Sequence, residues 1–223
     1  MDRNCAIFIT SVLLGSLMVV TSVTSYMWVP AYDPVTFLDD FSGSAIDSSL
    51  WLFVGSVQKT NSAQGRIHLG RSIVTLESDT HGVAFLSHTY ATRWPSGVEY
   101  GAWRGDIEFL TRFNGFSEGS SCVIIARTDG GWVGIVDHQF TYFDEEPTSA
   151  RSMYVLGARV DSDWHTFKIS FSNDGRKVYW DGNLAVKLTT VTKFTKILLG
   201  HTDPGPRSGG SMSFDWFRSC AMH

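Results

Sequence analysis

From Val35 onward, short stretches of alternating apolar and polar residues are separated by Gly, Asn, Asp, Ser and Pro at spacings of roughly 8 to 12 residues. A period of two sends successive side chains to opposite sides of an extended strand, so each stretch has one face to bury and one to leave wet. Strands are expected at 36–40, 72–78, 83–89, 106–113, 122–127, 133–137, 153–160, 164–171, 177–181, 185–188, 195–200 and 212–218. No segment carries a helical period, so the pattern predicts an all-β chain. The clearest stretch is 164–188, where Phe167, Ile169 and Phe171 fall on one face and Thr166, Lys168 and Ser170 on the other. Asn173-Asp174-Gly175 and Asp181-Gly182 then supply residues that tolerate positive φ, which predicts two consecutive hairpins. Two connections read as longer: 137–151, rich in acidic and aromatic residues, as a candidate binding loop, and 201–210, with two Pro and three Gly, as a plain connector.

The first residues have a different character. Arg3 precedes an apolar run over 6–20 and a small polar exit ending Val23-Thr24-Ser25, the order of a secretory signal peptide over 1–25. A membrane span needs ~20 apolar residues, whereas Thr10, Ser11 and Ser16 interrupt this run, so no span is expected after cleavage. Residues 26–223 then form one domain, a size typical of an all-β sandwich. Cys5 is lost with the signal, which leaves Cys122 and Cys220 as the pair for a single disulfide in an oxidising compartment. No Asn-x-Ser/Thr sequon occurs, so N-glycans are not expected.

Only 18% of residues are charged, the net charge is −4, and the basic residues are scattered. Nucleic acid and anionic membranes are therefore poor partners. Gly-x-Ser-x-Gly, P-loop and dinucleotide fingerprints are absent, which removes serine-hydrolase and nucleotide chemistry. Arg104-Gly105-Asp106 spells an adhesion tripeptide but enters a strand rather than a loop tip.

Three motifs together resemble the concanavalin A-like lectin/glucanase superfamily, which includes laminarinase-like hydrolases and laminin G-like modules. They are Leu38-Asp39-Asp40-Phe41-Ser42-Gly43 leading to Ile46-Asp47-Ser48-Ser49-Leu50-Trp51; Asp163-Trp164-His165-Thr166-Phe167 followed by Val178-Tyr179-Trp180-Asp181-Gly182; and Met212-Ser213-Phe214-Asp215-Trp216-Phe217-Arg218. The resemblance implies a two-sheet antiparallel jelly-roll sandwich with its ligand on the concave sheet. It also implies a structural Ca²⁺ with Asp215 as a ligand, an oxygen donor that suits that ion; no cofactor is otherwise required. The glucanase motif E-x-D-x-(x)-E, which supplies two carboxyl groups ~5 Å apart for retaining chemistry, is missing. Its nearest echo, Asp106-Ile107-Glu108, lacks the third carboxylate.

Trp94, before Pro95-Ser96-Gly97, and Trp132, after Asp129-Gly130-Gly131, are turn-adjacent and are the expected platforms for the apolar face of a pyranose. Trp164, Trp180 and Trp216 sit within alternating strands and are expected in the core. His138, Tyr142 and Glu145 belong to a polar and aromatic cluster that reads as a hydroxyl-binding rim, as an acid/base group, or as a solvated loop. His138 has no Cys or second His at metal-ligand spacing, which argues against zinc. The expected function is a secreted, non-catalytic carbohydrate-binding or adhesion module that takes a glycan, a polysaccharide or another extracellular protein. The alternative is a glycoside hydrolase or polysaccharide lyase with a divergent site.

Overall fold

The computed structural model describes residues 35–56, 65–90, 92–94, 97–99, 104–144, 152–157, 159–189, 194–203 and 205–222. The expected signal peptide, Trp103, Glu145, Glu146 and the side chain of Trp94 lie outside the described residues. The described chain contains seventeen strands and no helix: β1 (Val35–Asp39), β2 (Leu52–Ser56), β3 (Gly65–Gly70), β4 (Ile73–Ser78), β5 (Val83–Thr89), β6 (Thr92–Trp94), β7 (Gly97–Glu99), β8 (Arg104–Phe116), β9 (Cys122–Thr128), β10 (Gly131–Val136), β11 (Gln139–Asp144), β12 (Ser152–Gly157), β13 (Trp164–Ser172), β14 (Gly175–Trp180), β15 (Asn183–Leu188), β16 (Lys196–His201) and β17 (Gly210–Met222).

Two antiparallel sheets form a jelly-roll sandwich. The eight-stranded sheet has the order β15-β14-β13-β8-β17-β4-β3, with β1 also on β17; the seven-stranded sheet has the order β12-β11-β10-β9-β16-β5-β2. β17 is the seam of the larger sheet. One edge runs along β8 from Gly210 opposite Phe116 to Met222 opposite Arg104, while its other edge serves β4 through Gly210 to Phe214 and β1 through Phe217 to Ala221.

Alternation explains the core. Ile107, Phe109, Phe167, Ile169, Phe171, Met212, Phe214 and Phe217 of the larger sheet meet Val123, Val133, Ile135, Phe140, Ile197 and Leu199 of the smaller one, all buried. Each such side chain contributes about 1.5–3 kcal/mol by leaving water. Phe109 and Phe167, opposite each other in register, stack at 5.4 Å between centroids.

Each expected strand window holds a strand, but the expected loop over 137–151 does not hold. Residues 139–144 form β11, which pairs with β10 and β12. Asp137 and His138 both adopt positive φ, 47° and 64°, and make a two-residue turn of the type usually given to Asn-Gly. Because neither residue is glycine, the turn signal is weak in the sequence.

One buried charge links the two layers. Arg176 of β14 is 0% exposed; its guanidinium donates to the Gly130 carbonyl at 2.5 Å and to the Asp144 carboxylate, and lies 5.6 Å from the centre of the Tyr142 ring. Gly130 belongs to the β9–β10 turn and Asp144 ends β11, so the larger sheet grips the hairpin edge of the smaller one here. Removing one partner of a buried pair leaves a charge without compensation, which costs about 3–5 kcal/mol, whereas replacing both with apolar groups is often neutral. Arg176→Met is therefore expected to lower unfolding free energy by about that much, and Arg176→Met/Asp144→Leu by less, as read from urea denaturation.

Candidate functional site

Trp132 follows the β9–β10 turn. Within β10, Val133 and Ile135 point into the core, which sends Trp132, Gly134 and Val136 to the outer face of the seven-stranded sheet. Gly134 lies under the indole: a Cβ there would come within 2.8 Å of the Trp132 ring and 2.4 Å of the Val123 carbonyl oxygen. The missing side chain leaves room for the benzo edge of the indole. Its other neighbour is Phe143, directly opposite on β11, and the two rings stack at 4.1 Å with 14° between planes.

Register extends this pair into a row across the sheet. Met153 of β12 lies opposite Phe143; on the other side Arg127 of β9 lies opposite Trp132, followed by Leu198 of β16, Ser87 of β5 and Leu52 of β2. Met153 and Leu52 are 54% and 66% exposed. Beside the row, Phe85, Arg127, Asp129, Lys196, Leu198 and Thr202 help to line a depression of about 420 Å³. Asp129 is already engaged there, its carboxylate accepting from both the backbone N–H and the hydroxyl of Thr195 at 2.5 Å. A stacked aromatic pair, aliphatic neighbours and polar groups at one margin make a partly exposed apolar patch with a polar border.

The remaining sequence-derived sites separate. Tyr142 corrects the expectation of a ligand rim: it alternates with Phe143, is 0% exposed in the core, and its hydroxyl donates to the Gly130 carbonyl at 3.3 Å. His138 is exposed at the far end of the β10–β11 hairpin, edge-on to Phe116; six residues of strand, roughly 20 Å, divide it from Trp132. Glu145 and the Trp94 side chain lie outside the described residues. Asp106 and Glu108 share the outer face of the opposite sheet, each in an ion pair, Asp106 with Lys168 at 2.7 Å and Glu108 with Arg218.

The expected core positions of Trp164 and Trp216 are corrected too. Trp164 is partly exposed with the Arg112 guanidinium 5.0 Å above its ring. A bulge between Phe214 and Trp216 breaks the alternation and turns Trp216 outward, where it lines a depression of about 440 Å³ with Leu38, Asp40, Glu108 and Arg218. Asp215 occupies that bulge, and among the described residues no three His, Cys, Asp or Glu side chains converge to hold a metal ion. No disulfide joins Cys122 and Cys220. Cys122 begins β9 in the smaller sheet and Cys220 lies in β17 of the larger, opposite Asp106. Burial, with the Asp203 carboxylate nearby, pushes the Cys122 thiol up to about 11.

His201 supports the sheet from within. It is fully buried at the end of β16 and its Nδ1 accepts the Ile124 N–H at 3.0 Å; Ile124 is the residue opposite Gly134, next to the bulge in β9. Accepting at Nδ1 requires the neutral ring, and burial lowers its pKa from 6.5 to about 4.

No protein-family model and no curated protein sequence matches this chain. Solved structures do match in shape. An endo-β-galactosidase from Clostridium perfringens that releases GlcNAcα1-4Gal superposes with TM-score 0.58 at 12% identity over 82% of this chain, which spans 61% of that protein. A pseudo β-1,3-glucanase of Mycobacterium tuberculosis, an immunostimulatory antigen, gives 0.58 at 16% identity over 84% of this chain and 98% of that one. A structure from work on endo-acting O-glycanases of the human gut microbiota gives 0.56 at 13% identity, covering 84% and 99%. The chain therefore has the concanavalin A-like jelly-roll fold of the glucanase and galactosidase domains.

Two outcomes follow from the geometry. Gly134→Ala is expected to lower the melting temperature and shift the tryptophan fluorescence, because the added methyl meets a carbonyl and lifts the indole from its seat. The pKa of folded His201 lies below that of the unfolded chain, so its contribution is complete above pH 6.5 and falls away as pH drops toward 4, about 3 kcal/mol in all. His165 titrates in the opposite sense: burial, the largest influence, favours its neutral form, but Asp161 and Asp181 outweigh it and raise the pKa, so its contribution fades above pH 6.5. Comparing denaturation of the wild type and His201→Gln between pH 4 and 7 isolates the His201 term.

Proposed function

We propose that this protein is a secreted, non-catalytic glycan-binding module whose ligand lies along the outer face of the seven-stranded sheet, across the Trp132–Phe143 stack. That stack carries the reading. An indole and a phenyl ring stacked face to face at 4.1 Å on the outer sheet face form a partly exposed aromatic block whose uncovered surface meets the apolar side of a sugar ring, and the depression at Arg127, Lys196 and Thr202 supplies polar groups beside it.

The fold is carried by glycan-active proteins, including one described as a pseudo-glucanase, but fold alone does not select between binder and enzyme. Residue chemistry supports the binder. The glucanase carboxylate string is absent from the sequence, and the two carboxylates that share a strand face, Asp106 and Glu108, are neutralised by Lys168 and Arg218 on the other sheet. Sugar hydroxyls leave water for similar hydrogen bonds and ring stacking contributes about 1 kcal/mol per ring, so single-site binding is weak.

Trp132→Ala is expected to weaken binding to the preferred polysaccharide about fivefold while leaving the fold intact by circular dichroism, as measured by calorimetric titration after a glycan array. Equal binding by wild type and variant would overturn the placement of the ligand, and reducing-sugar release from any polysaccharide by the wild type would overturn the non-catalytic reading.

A further inference from the structure

The eight-stranded sheet has a depression of its own, on the side of the sandwich away from Trp132. The bulge at Asp215 puts Trp216 and Arg218 together on the outer face, with Phe217 between them pointing into the core. Register then sets the neighbours. Leu38 of β1 lies opposite Arg218 on one side and Glu108 of β8 on the other, while Leu110 lies opposite Trp216. Trp216, Leu38, Asp40, Glu108 and Arg218 line a space of about 440 Å³, within the range of pockets that hold small ligands, about 300–1,000 Å³. Leu38 is 64% exposed, an apolar side chain left in water beside a partly exposed indole.

Polar groups are fixed around this apolar floor. Asp40 Oδ1 accepts the Ser42 N–H at 3.0 Å, and the Ser42 hydroxyl and N–H together hold the Asp40 carboxyl below its usual range. Glu108 accepts from the Arg218 guanidinium, which orients both groups and leaves the Arg218 side chain 55% exposed. Two carboxylates and one guanidinium give the depression a net negative charge, which disfavours uronate and sulfate groups. Neutral sugar hydroxyls suit it: a carboxylate accepts from them, a guanidinium donates to them, and the apolar face of the ring covers the indole.

We propose that this depression is a second glycan site, in which a neutral sugar ring stacks on Trp216 against Leu38 while Asp40, Glu108 and Arg218 bind its hydroxyls. The site goes beyond the glycan-binding reading above and does not depend on the Trp132 platform, because the two indoles stand on opposite outer faces of a two-layer sandwich. Both sheets and the core between them, packed about 10 Å apart, separate the faces. A short oligosaccharide therefore occupies one face or the other, and a protein with both sites filled joins two polysaccharide strands.

The test follows the indole N–H signals of the isotope-labelled full chain by NMR during titration with laminarihexaose, mannohexaose, xylohexaose and neoagarohexaose, with alginate oligosaccharides as the acidic control. The Trp216 signal is identified by its absence from Trp216→Phe, and the Trp132 signal by its absence from Trp132→Ala. The expected result is a saturable shift of the Trp216 signal with at least one neutral oligosaccharide, equal in wild type and Trp132→Ala, and none with alginate oligosaccharides. Asp40→Asn and Leu38→Ala are each expected to weaken that titration about three- to fivefold with the circular dichroism spectrum unchanged. Both residues are exposed, so these variants separate binding from folding. A Trp216 signal unmoved by every neutral oligosaccharide, or one that shifts as readily in Asp40→Asn and Leu38→Ala as in wild type, would overturn this inference; a Trp132 signal that shifts in the same titrations would leave the reading at Trp132 in place. A Trp216 signal that shifts while that of Trp132 does not would support the second site and overturn the placement at Trp132 alone.

Discussion

Arg176 is the point on which the rest of the sandwich depends. Its charge sits at 0% exposure where the larger sheet meets the β10–β11 edge of the smaller one, and it is compensated by Asp144, the Gly130 carbonyl and the face of Tyr142. Asp144 and Tyr142 belong to β11, which presents Phe143, and Gly130 to the turn that leads into β10 and Trp132. A buried pair of this kind adds little net stability compared with apolar packing, yet it tolerates very few geometries. The turn carbonyl that it grips is two residues from the indole. The same contact that fixes how the sheets meet therefore fixes where the aromatic platform stands, and the core and the proposed binding face are one mechanical unit.

The parts legible in the sequence are those where local pattern and tertiary environment agree. In 164–188, Phe167, Ile169 and Phe171 alternate cleanly and the turns carry Asp-Gly or Asn-Asp-Gly, so both hairpins form as read. β11 was hidden for the opposite reason. Its turn, Asp137-His138, takes positive φ without glycine, and Gln139 to Asp144 mixes polar and aromatic residues that look like a loop until Phe140 and Tyr142 are seen to point inward. β2 and β3 are short, contain glycine and leave half of their residues in water, which gives the pattern little contrast.

For the site, the turn beside Trp132 signals an outward position, but nothing local announces Phe143, Arg127, Leu198 or Met153 as its companions. Those come together through register across five strands, a long-range property. Tyr142 was grouped with its sequence neighbours although period two sends it to the other side of the sheet from Phe143. Trp216 fails differently, because the extra residue at Asp215 reverses which face the following side chains take. Bulges act on the sequence pattern as a phase shift, and a phase shift is invisible without the partner strand.

The seam formed by β17 also orders events in time. A larger sheet in which β8 on one side and β4 with β1 on the other are all hydrogen-bonded to a single strand has no complete core until that strand arrives, and residues 210–222 are synthesised after every other strand described here. At about 5–20 residues per second, ribosomal synthesis exposes the apolar faces of β4 and β8 for several seconds before their shared partner emerges. During that interval the unpaired edges of β4 and β8 are open to pairing with the wrong strand, so the order of synthesis sets where this fold is most exposed to misassembly.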